Sequence, residues 1–403
     1  MDLVSRCEPH GSGMQPPSAS GPVREPQPHV HPAALALGGL LSLALAIGIG
    51  RFVYTPILPY MTAGLGLAKS EAGLIASANY LGYLLGALAA AWRPLPGDPR
   101  RWLLGALAVS GLSTGAMALT TSLGPFLLLR FVGGAAGALV MVLASSLVMD
   151  RLTTAGRAAW AAVMYAGVGT GITISALSVP AIATGVDDWQ GPWLFCGALS
   201  VVLSILVGVL LRTPQATVAK ETGTGAGRME RSLRRFILAY GLFGFGYVIT
   251  ATFVSDMVRA DPVLQPAERL VWLCVGLTAA PSAPLWGWAG RRWGSERAFA
   301  IACLIEAVGV ALSVSGGVWS LLLGAGLLGG TFVGLTALGM VYARRPSGGD
   351  PRRNLALMTA AFGLGQMVGP TLAGVLHDSL GSYLAPSLLA VVALLAAARL
   401  ATR

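Results

Sequence analysis

The stretch Gly48-Ile49-Gly50-Arg51-Phe52-Val53-Tyr54-Thr55-Pro56-Ile57-Leu58-Pro59 decides how this chain folds, because it sets one cation in an otherwise apolar segment. Every residue from Ala33 to Gly50 is apolar or small, and about 20 such residues cross the hydrocarbon core of a bilayer. Arg51 therefore falls inside the membrane rather than at its edge. A charge at that depth is costly unless it meets water, a partner or a ligand, so the chain has to build polar surroundings for it. After a short polar turn comes a second apolar stretch, Ser77-Ala78-Asn79-Tyr80-Leu81-Gly82-Tyr83-Leu84-Leu85-Gly86-Ala87-Leu88, which carries polar groups of its own.

The rest of the chain agrees with a membrane reading. Of 403 residues 55% are hydrophobic and 11% charged, with a mean hydropathy of +0.70, against about 25% charged in soluble domains. Twelve apolar segments are read at 34–61, 71–92, 102–121, 125–149, 158–183, 191–211, 236–258, 268–290, 298–318, 320–343, 355–377 and 383–400, each long enough to span. The expected fold is an all-α membrane protein with twelve transmembrane helices in two six-helix halves.

Charge sets the expected orientation. With the N-terminus inside, 22 of the 27 basic residues fall in inside loops and tails, and only Lys69, Arg259 and Arg269 fall outside. That asymmetry follows the positive-inside rule and accounts for the net charge of +10 without nucleic acid as a partner. The two arginines left over, Arg51 and Arg130, are the intramembrane exceptions. Nine residues from Arg51 to Tyr60 and six from Gly124 to Arg130 give depths of about 13 Å and roughly 9 Å at 1.5 Å per residue, so the two are expected at one level and to share one anionic partner, with a structural clamp as the alternative.

Residues 1–32 are rich in proline and scattered charge, and read as a disordered cytoplasmic tail with no signal peptide. The N-terminal half is expected at 33–212, a Gly-, Thr- and charge-rich cytoplasmic linker at 213–235, and the C-terminal half at 236–403. Shifting the sequence by 196 residues superposes Gly48/Gly50 on Gly244/Gly246, Gly133-Gly134 on Gly329-Gly330 and Gly167/Gly169 on Gly363/Gly365. A parallel duplication of six-helix halves leaves that trace.

Small residues four apart recur at Gly82/Gly86, Gly133/Gly137, Gly167/Gly171, Gly326/Gly330/Gly334 and Gly365/Gly369, where they let helix backbones approach closely. Prolines 56, 59, 281, 284 and 370 free backbone carbonyls and permit kinks. Gly324-Ala-Gly326-Leu-Leu-Gly329 and Gly111-Leu-Ser113-Thr-Gly115 mimic nucleotide-binding and nucleophile-elbow patterns, but both sit within a span, without the strand-turn-helix context these need. No P-loop motif exists and no nucleophile, base or metal cluster appears in any span. The expectation is a protein that is not an enzyme, needs no cofactor and no metal, and draws on a gradient if it moves anything. Cys7, Cys196, Cys274 and Cys303 show no C-x-x-C spacing and read as packing residues.

Twelve spans in two halves, with Leu127-Leu-Leu-Arg130-Phe-Val-Gly-Gly134-Ala-Ala-Gly137 in segment 4, resemble the major facilitator superfamily. More narrowly, Gly48 to Pro59, Ser77 to Leu88, Gly244 to Phe253, Gly329 to Gly334 and Phe362 to Pro370 resemble its YbfB/YjiJ branch. Two departures stand out. Ala90 and Arg291 occupy positions where the superfamily's loop pattern carries an acid, and Ile172 follows Gly171 where the antiporter pattern has proline. The resemblance implies that segments 1, 4, 7 and 10 line a central cavity, with 2, 5, 8 and 11 beside them. The substrate-binding candidates are then Arg51, Tyr54, Asn79, Tyr83, Arg130, Tyr247 and Gln366, each with an internal hydrogen-bond clamp as its alternative. Glu306, in segment 9, and Arg130 are the proton-coupling candidates.

The resemblance implies a secondary transporter of a small polar or anionic solute, monomeric, in a bacterial inner membrane with both termini cytoplasmic. The alternative is a sensor or assembly partner that keeps the fold without transport. The topology makes a first prediction. Cysteines placed at Asp188 or Ala267 react with an impermeant thiol reagent added outside, and cysteines at Gly223 or Gly349 do not. Reversed labelling would end this orientation and every cavity assignment built on it.

Overall fold

The computed structural model describes residues 31–92, 95–154, 156–157, 160–211, 230–343 and 351–402. The tail read at 1–32 (except for its last two residues), Cys7 and most of the linker read at 213–235 lie outside them. Thirteen α-helices follow in order, and no strand occurs among the described residues. The first six spans are α1 (Pro32–Leu43) with α2 (Tyr54–Leu65), α3 (Lys69–Trp92), α4 (Pro99–Ala116), α5 (Leu123–Thr154), α6 (Ala161–Ile182) and α7 (Gln190–Leu210). The last six are α8 (Arg231–Ala260), α9 (Glu268–Trp293), α10 (Ser295–Ser313), α11 (Val318–Ala343), α12 (Pro351–Leu380) and α13 (Leu384–Ala401).

Eleven of these spans are long and apolar enough to cross a membrane. The remaining one, α10, carries Glu296, Arg297 and Glu306 in 19 residues, which is why its crossing is the hardest to read from hydropathy. The first span is not the single helix that its apolar run predicts. A six-residue π-helix, Ala44–Ile49, and a turn separate α1 from α2. Pro180, Pro281, Pro284 and Pro370, by contrast, sit within continuous α-helices.

Several of the small-residue pairs do the packing that their spacing predicts. A side chain at Gly82 or Gly134 would run into the backbone of Phe131 or Asn79, so α3 and α5 touch main chain to main chain. Gly167 and Gly171 do the same for α6 against Leu40 and Ala44 of the first span. On α11 the tight approaches are at Gly324, Gly329, Gly334 and Gly339, whereas Gly326 and Gly330 meet only Thr278 at ordinary van der Waals distance.

The two halves meet along α3 with α12 and along α6 with α9, and again where α2 crosses α8. Gly73 and Gly374 bring α3 and α12 into backbone contact, as Gly169 and Gly276 do for α6 and α9. At the α2–α8 crossing the Thr55 hydroxyl donates to the Ala251 carbonyl at 2.6 Å. These two positions are 196 residues apart, the shift that aligns the glycines, so repeat-equivalent residues meet each other across the pseudo-twofold axis.

The halves are tied most strongly at the end remote from both termini. There Asp256 of α8, buried, accepts from Lys69 Nζ at 2.7 and 2.8 Å, from the Tyr383 hydroxyl at 2.6 Å and from the Thr62 hydroxyl at 3.2 Å. Asp378 of α12 accepts the free backbone N–H groups of Lys69 and Ser70 at 3.0 and 2.9 Å, capping α3 from the opposite half. In the turn before α7, the Thr184 and Gly191 N–H groups donate to Asp188 and hold its carboxyl below the usual carboxylate range.

Asp256 is a buried acid near the end of segment 7 that the sequence reading passed over. Its partners predict a specific pattern. Lys69→Met lowers the melting temperature because it strands a buried carboxylate. Adding Asp256→Asn to that variant restores much of the loss, since the neutral amide can still pair with Thr62 and Tyr383. A double variant no more stable than the single one would show that the ion pair does not hold this end shut.

Candidate functional site

The break between α1 and α2 creates the site. Pro56 offers no N–H to the Phe52 carbonyl, and its ring crowds that carbonyl out of helical position. Thr55 N–H takes it instead, at 3.2 Å. Upstream the turn is widened, with Gly50 N–H donating to Leu45 and Phe52 N–H to Ile47, five residues back, at 2.8 and 3.2 Å. The carbonyls of Gly50 and Arg51 are left to find donors elsewhere, in surroundings that hold no bulk water.

Arg130 supplies them. From α5 its Nη1 donates to Gly50 O at 2.8 Å and its Nη2 to Arg51 O at 2.9 Å, so the Arg130 guanidinium lies against the Arg51 backbone. Asn79 of α3 braces this arginine by donating Nδ2 to the Arg130 carbonyl at 2.9 Å. The Arg130 guanidinium carbon lies 5.2 Å from the Tyr54 ring centroid and 5.9 Å from that of Trp193. Tyr54 in turn donates its hydroxyl to Ala72 O at 2.8 Å. Arg130, Asn79 and Tyr54, read from sequence as substrate groups with a clamp as the alternative, are engaged here with the protein itself.

Arg51 differs. Its backbone is held by Arg130, and its side chain, 7% exposed, leaves Nε and Nη2 without a hydrogen-bond partner. The guanidinium carbon sits 4.0 Å from the Tyr83 ring centroid, 5.0 Å from Tyr80 and 6.0 Å from Phe52. Aromatic faces attract a cation this close, but they do not satisfy N–H donors.

The opposite half presents Tyr247 and Gln366. Their side chains are hydrogen-bonded to each other, Gln366 Nε2 to the Tyr247 hydroxyl, with the second end of the Gln366 amide unpaired. Tyr247 occupies the position that the 196-residue shift places on Arg51, and the two are within electrostatic reach across the interface. The Tyr247 ring lies nearly parallel to Phe332 and Phe362, with centroids 5.5 and 6.0 Å away. The Tyr80 hydroxyl lies beside Thr252, short of hydrogen-bond geometry. The structure therefore brings Arg51, Tyr83, Tyr247 and Gln366 toward one interface together with Tyr80 and Phe332, and sets Trp193 beside Arg130 and Tyr54; the sequence reading did not single out Tyr80, Phe332 or Trp193. Tyr80 could have been found from its place one residue after Asn79 on a helix with a polar side.

Glu306 is fully buried, although the resemblance puts its helix at the periphery. It lies beside Thr331, whose hydroxyl donates to Leu327 O and Leu328 O of its own helix at 2.7 and 3.1 Å. Both carboxyl oxygens are without a partner, and the group is within electrostatic reach of Cys303 and Tyr247.

Residues 43–402 match the family described as "Uncharacterised MFS-type transporter YbfB", and the chain belongs to that family of the major facilitator superfamily. It is a multi-pass membrane protein with the fold of a transporter. The fold is shared with a crystal structure of the nucleoside transporter NupG at 17% identity and a TM-score of 0.65, over 92% of this chain and 97% of that one. It is shared equally with a bacterial homologue of the human lysosomal transporter Spinster, in an inward-facing and occupied conformation, at 17% identity and a TM-score of 0.70, over 92% and 95% of the two chains. No curated protein matches the sequence.

The unlike engagement of the two arginines predicts unlike mutants. Arg130→Met removes the donors of two buried carbonyls and lowers unfolding free energy by about 2–4 kcal/mol, with Arg130→Lys intermediate. Arg51→Met removes an unpaired buried charge and leaves stability unchanged or higher. Equal losses in denaturant unfolding would put both arginines in the same structural role.

Proposed function

We propose that this chain is a secondary active transporter that moves a small polar or anionic solute across a bacterial inner membrane by alternating access. The observation that carries the proposal is the unpaired Arg51 guanidinium, buried at the interface between two half-bundles. Arg130 gives its Nη atoms to the Gly50 and Arg51 carbonyls, whereas Nε and Nη2 of Arg51 find no acceptor in the protein; a charge kept for a ligand receives its partner with the ligand. Arg51 binds the solute directly, Tyr83, Tyr247 and Gln366 shape its surroundings, and Arg130, Asn79 and Tyr54 hold the broken helix that presents Arg51.

With both termini in the cytoplasm, the end sealed by Asp256, Lys69, Tyr383 and Asp378 is the outer one. Rocking of the halves breaks that seal and opens the site outward. Glu306 carries the coupling proton. It sits on the same half as Tyr247 and faces Thr331 of α11, so a change in how the halves meet at Tyr247 alters its surroundings. The Cys303 thiol on its own helix and the Tyr247 hydroxyl of α8 are the titratable groups within reach of it.

The test is flux in proteoliposomes under an imposed proton gradient. The wild-type protein accumulates solute when the gradient is applied. Glu306→Gln preserves size and removes titration, so it continues to exchange solute for solute but loses gradient-driven accumulation. Normal accumulation by that variant would return Glu306 to a packing role. An absence of any flux in the wild type would favour a non-transporting sensor.

A further inference from the structure

We propose that the cleft between α3, α5 and α12 seats one acyl chain of a phospholipid from the leaflet on the side remote from the termini, and that this chain stabilises the arrangement in which that end is shut. The second part rests on the alternating-access reading above. The cleft has a volume of about 760 Å³, within the range of about 300–1,000 Å³ that small-molecule sites occupy. α3 forms its floor with Ser77, Ala78 and Leu81, α5 contributes Leu128 and Phe131, and α12 contributes Val368 and Val375. Gly73 lies against the Pro370 carbonyl and Gly82 against the Phe131 carbonyl, so α3 is drawn close to both neighbours beneath the cleft.

Depth and polarity name the occupant. Leu74 is five residues from the start of α3 and Leu81 twelve, which at 1.5 Å per residue sets the cleft about 8–18 Å below the helix end. On α12, Val375 stands five residues before the end and Met367 thirteen, a matching span. One leaflet of hydrocarbon is roughly 15 Å deep, so the cleft runs through the layer that acyl chains fill. Leu74, Leu128, Val368 and Val375 are exposed, and the cleft therefore opens sideways, onto the surface that the bilayer surrounds. The hydroxyls in its lining are spent on the protein: Ser77 donates to Met367 O at 2.6 Å and pairs with the Thr371 hydroxyl at 2.8 Å. No charged side chain lines it. The polar end of a solute finds no partner there, whereas a hydrocarbon chain needs none and gains van der Waals contact along three helices.

A chain in this cleft touches both halves at once, α3 and α5 of the first and α12 of the second. Rocking that parts α3 from α12 at the Asp378 cap takes one wall away. The chain thus binds the shut arrangement better than the open one and shifts the balance toward it. The lining also adjoins the centre of the molecule, because Ala78, Phe131 and Met367 are next in sequence to Asn79, Arg130 and Gln366, all three buried.

The experiment compares the purified full-length protein and three variants in detergent with added dioleoylphosphatidylglycerol. Ala78→Phe puts a ring into the cleft, Leu128→Ala strips its wall, and Leu388→Phe, at an exposed position of α13, is the control. Because Leu128 is exposed, its variant folds whether or not Ala78→Phe does. Native mass spectrometry is expected to count one retained lipid fewer in Ala78→Phe than in the wild type, with Leu128→Ala retaining that lipid only at higher lipid concentration and Leu388→Phe matching the wild type. In hydrogen exchange the lipid slows peptides spanning 66–73 and 376–384 in the wild type and not in Ala78→Phe. Dihexanoylphosphatidylglycerol, the same headgroup on short chains, has neither effect.

Equal lipid retention by the wild type, Ala78→Phe and Leu128→Ala would overturn the cleft as a chain site. Protection by the dihexanoyl lipid would overturn it too, by making the headgroup the ligand. Wild-type dimers that Ala78→Phe dissociates would put a second copy of the chain in place of the lipid. Retention without slowed exchange would overturn the hold on the shut arrangement. Both effects in a protein that passes no solute in proteoliposomes would fail the transport reading alone.

Discussion

The clamp of Arg130 on the Gly50 and Arg51 carbonyls is the interaction on which the centre of this molecule depends. A membrane-spanning helix satisfies its own backbone, and any interruption leaves carbonyls facing hydrocarbon. The widened turn at 44–53, ahead of the proline at position 56, is such an interruption, so the fold needs a strong double donor there. Arg130 meets the need with two hydrogen bonds of 2.8 and 2.9 Å. An arginine suits the task because its planar fork reaches two acceptors at once.

That clamp also explains how a second, unpaired arginine is tolerated nearby. The broken turn gives Arg51 a fixed backbone, and Tyr80, Tyr83 and Phe52 provide aromatic faces that offset part of the desolvation of its charge. What the faces leave unsatisfied is directional, two N–H groups on one edge. The same chemical group thus stands in unlike surroundings: Arg130 donates to two backbone carbonyls, and Arg51 keeps Nε and Nη2 buried without an acceptor.

The span positions and the intramembrane placement of both arginines were legible because twenty apolar residues are a strong signal and a cation among them is conspicuous. The close packing at Gly82, Gly134, Gly167 and Gly171 was legible from spacing alone. The π-turn at 44–49 was not, since proline marks a break without fixing how the turn upstream will rearrange. Asp256 was missed because acids near a span end read as interfacial, and its partners Lys69 and Tyr383 lie far off in sequence. The inward aim of Glu306 was hidden by a helix that is apolar on nearly every side, so no polar face oriented it.

The internal duplication adds a last constraint. On a pseudo-twofold axis, equivalent residues face one another, as Thr55 and Ala251 do in direct contact. Identical residues at positions 51 and 247 would set two arginines, or two tyrosines, against each other. Here that pair is Arg51 and Tyr247, one cationic and one aromatic. Two facing arginines would repel and would together demand a dianion; two facing tyrosines would offer no charge. The two halves thus set unlike groups at equivalent places: a guanidinium among aromatic faces in one, and a tyrosine hydroxyl hydrogen-bonded to Gln366 in the other. A ligand can shift the equilibrium between two states only through a difference in what it touches.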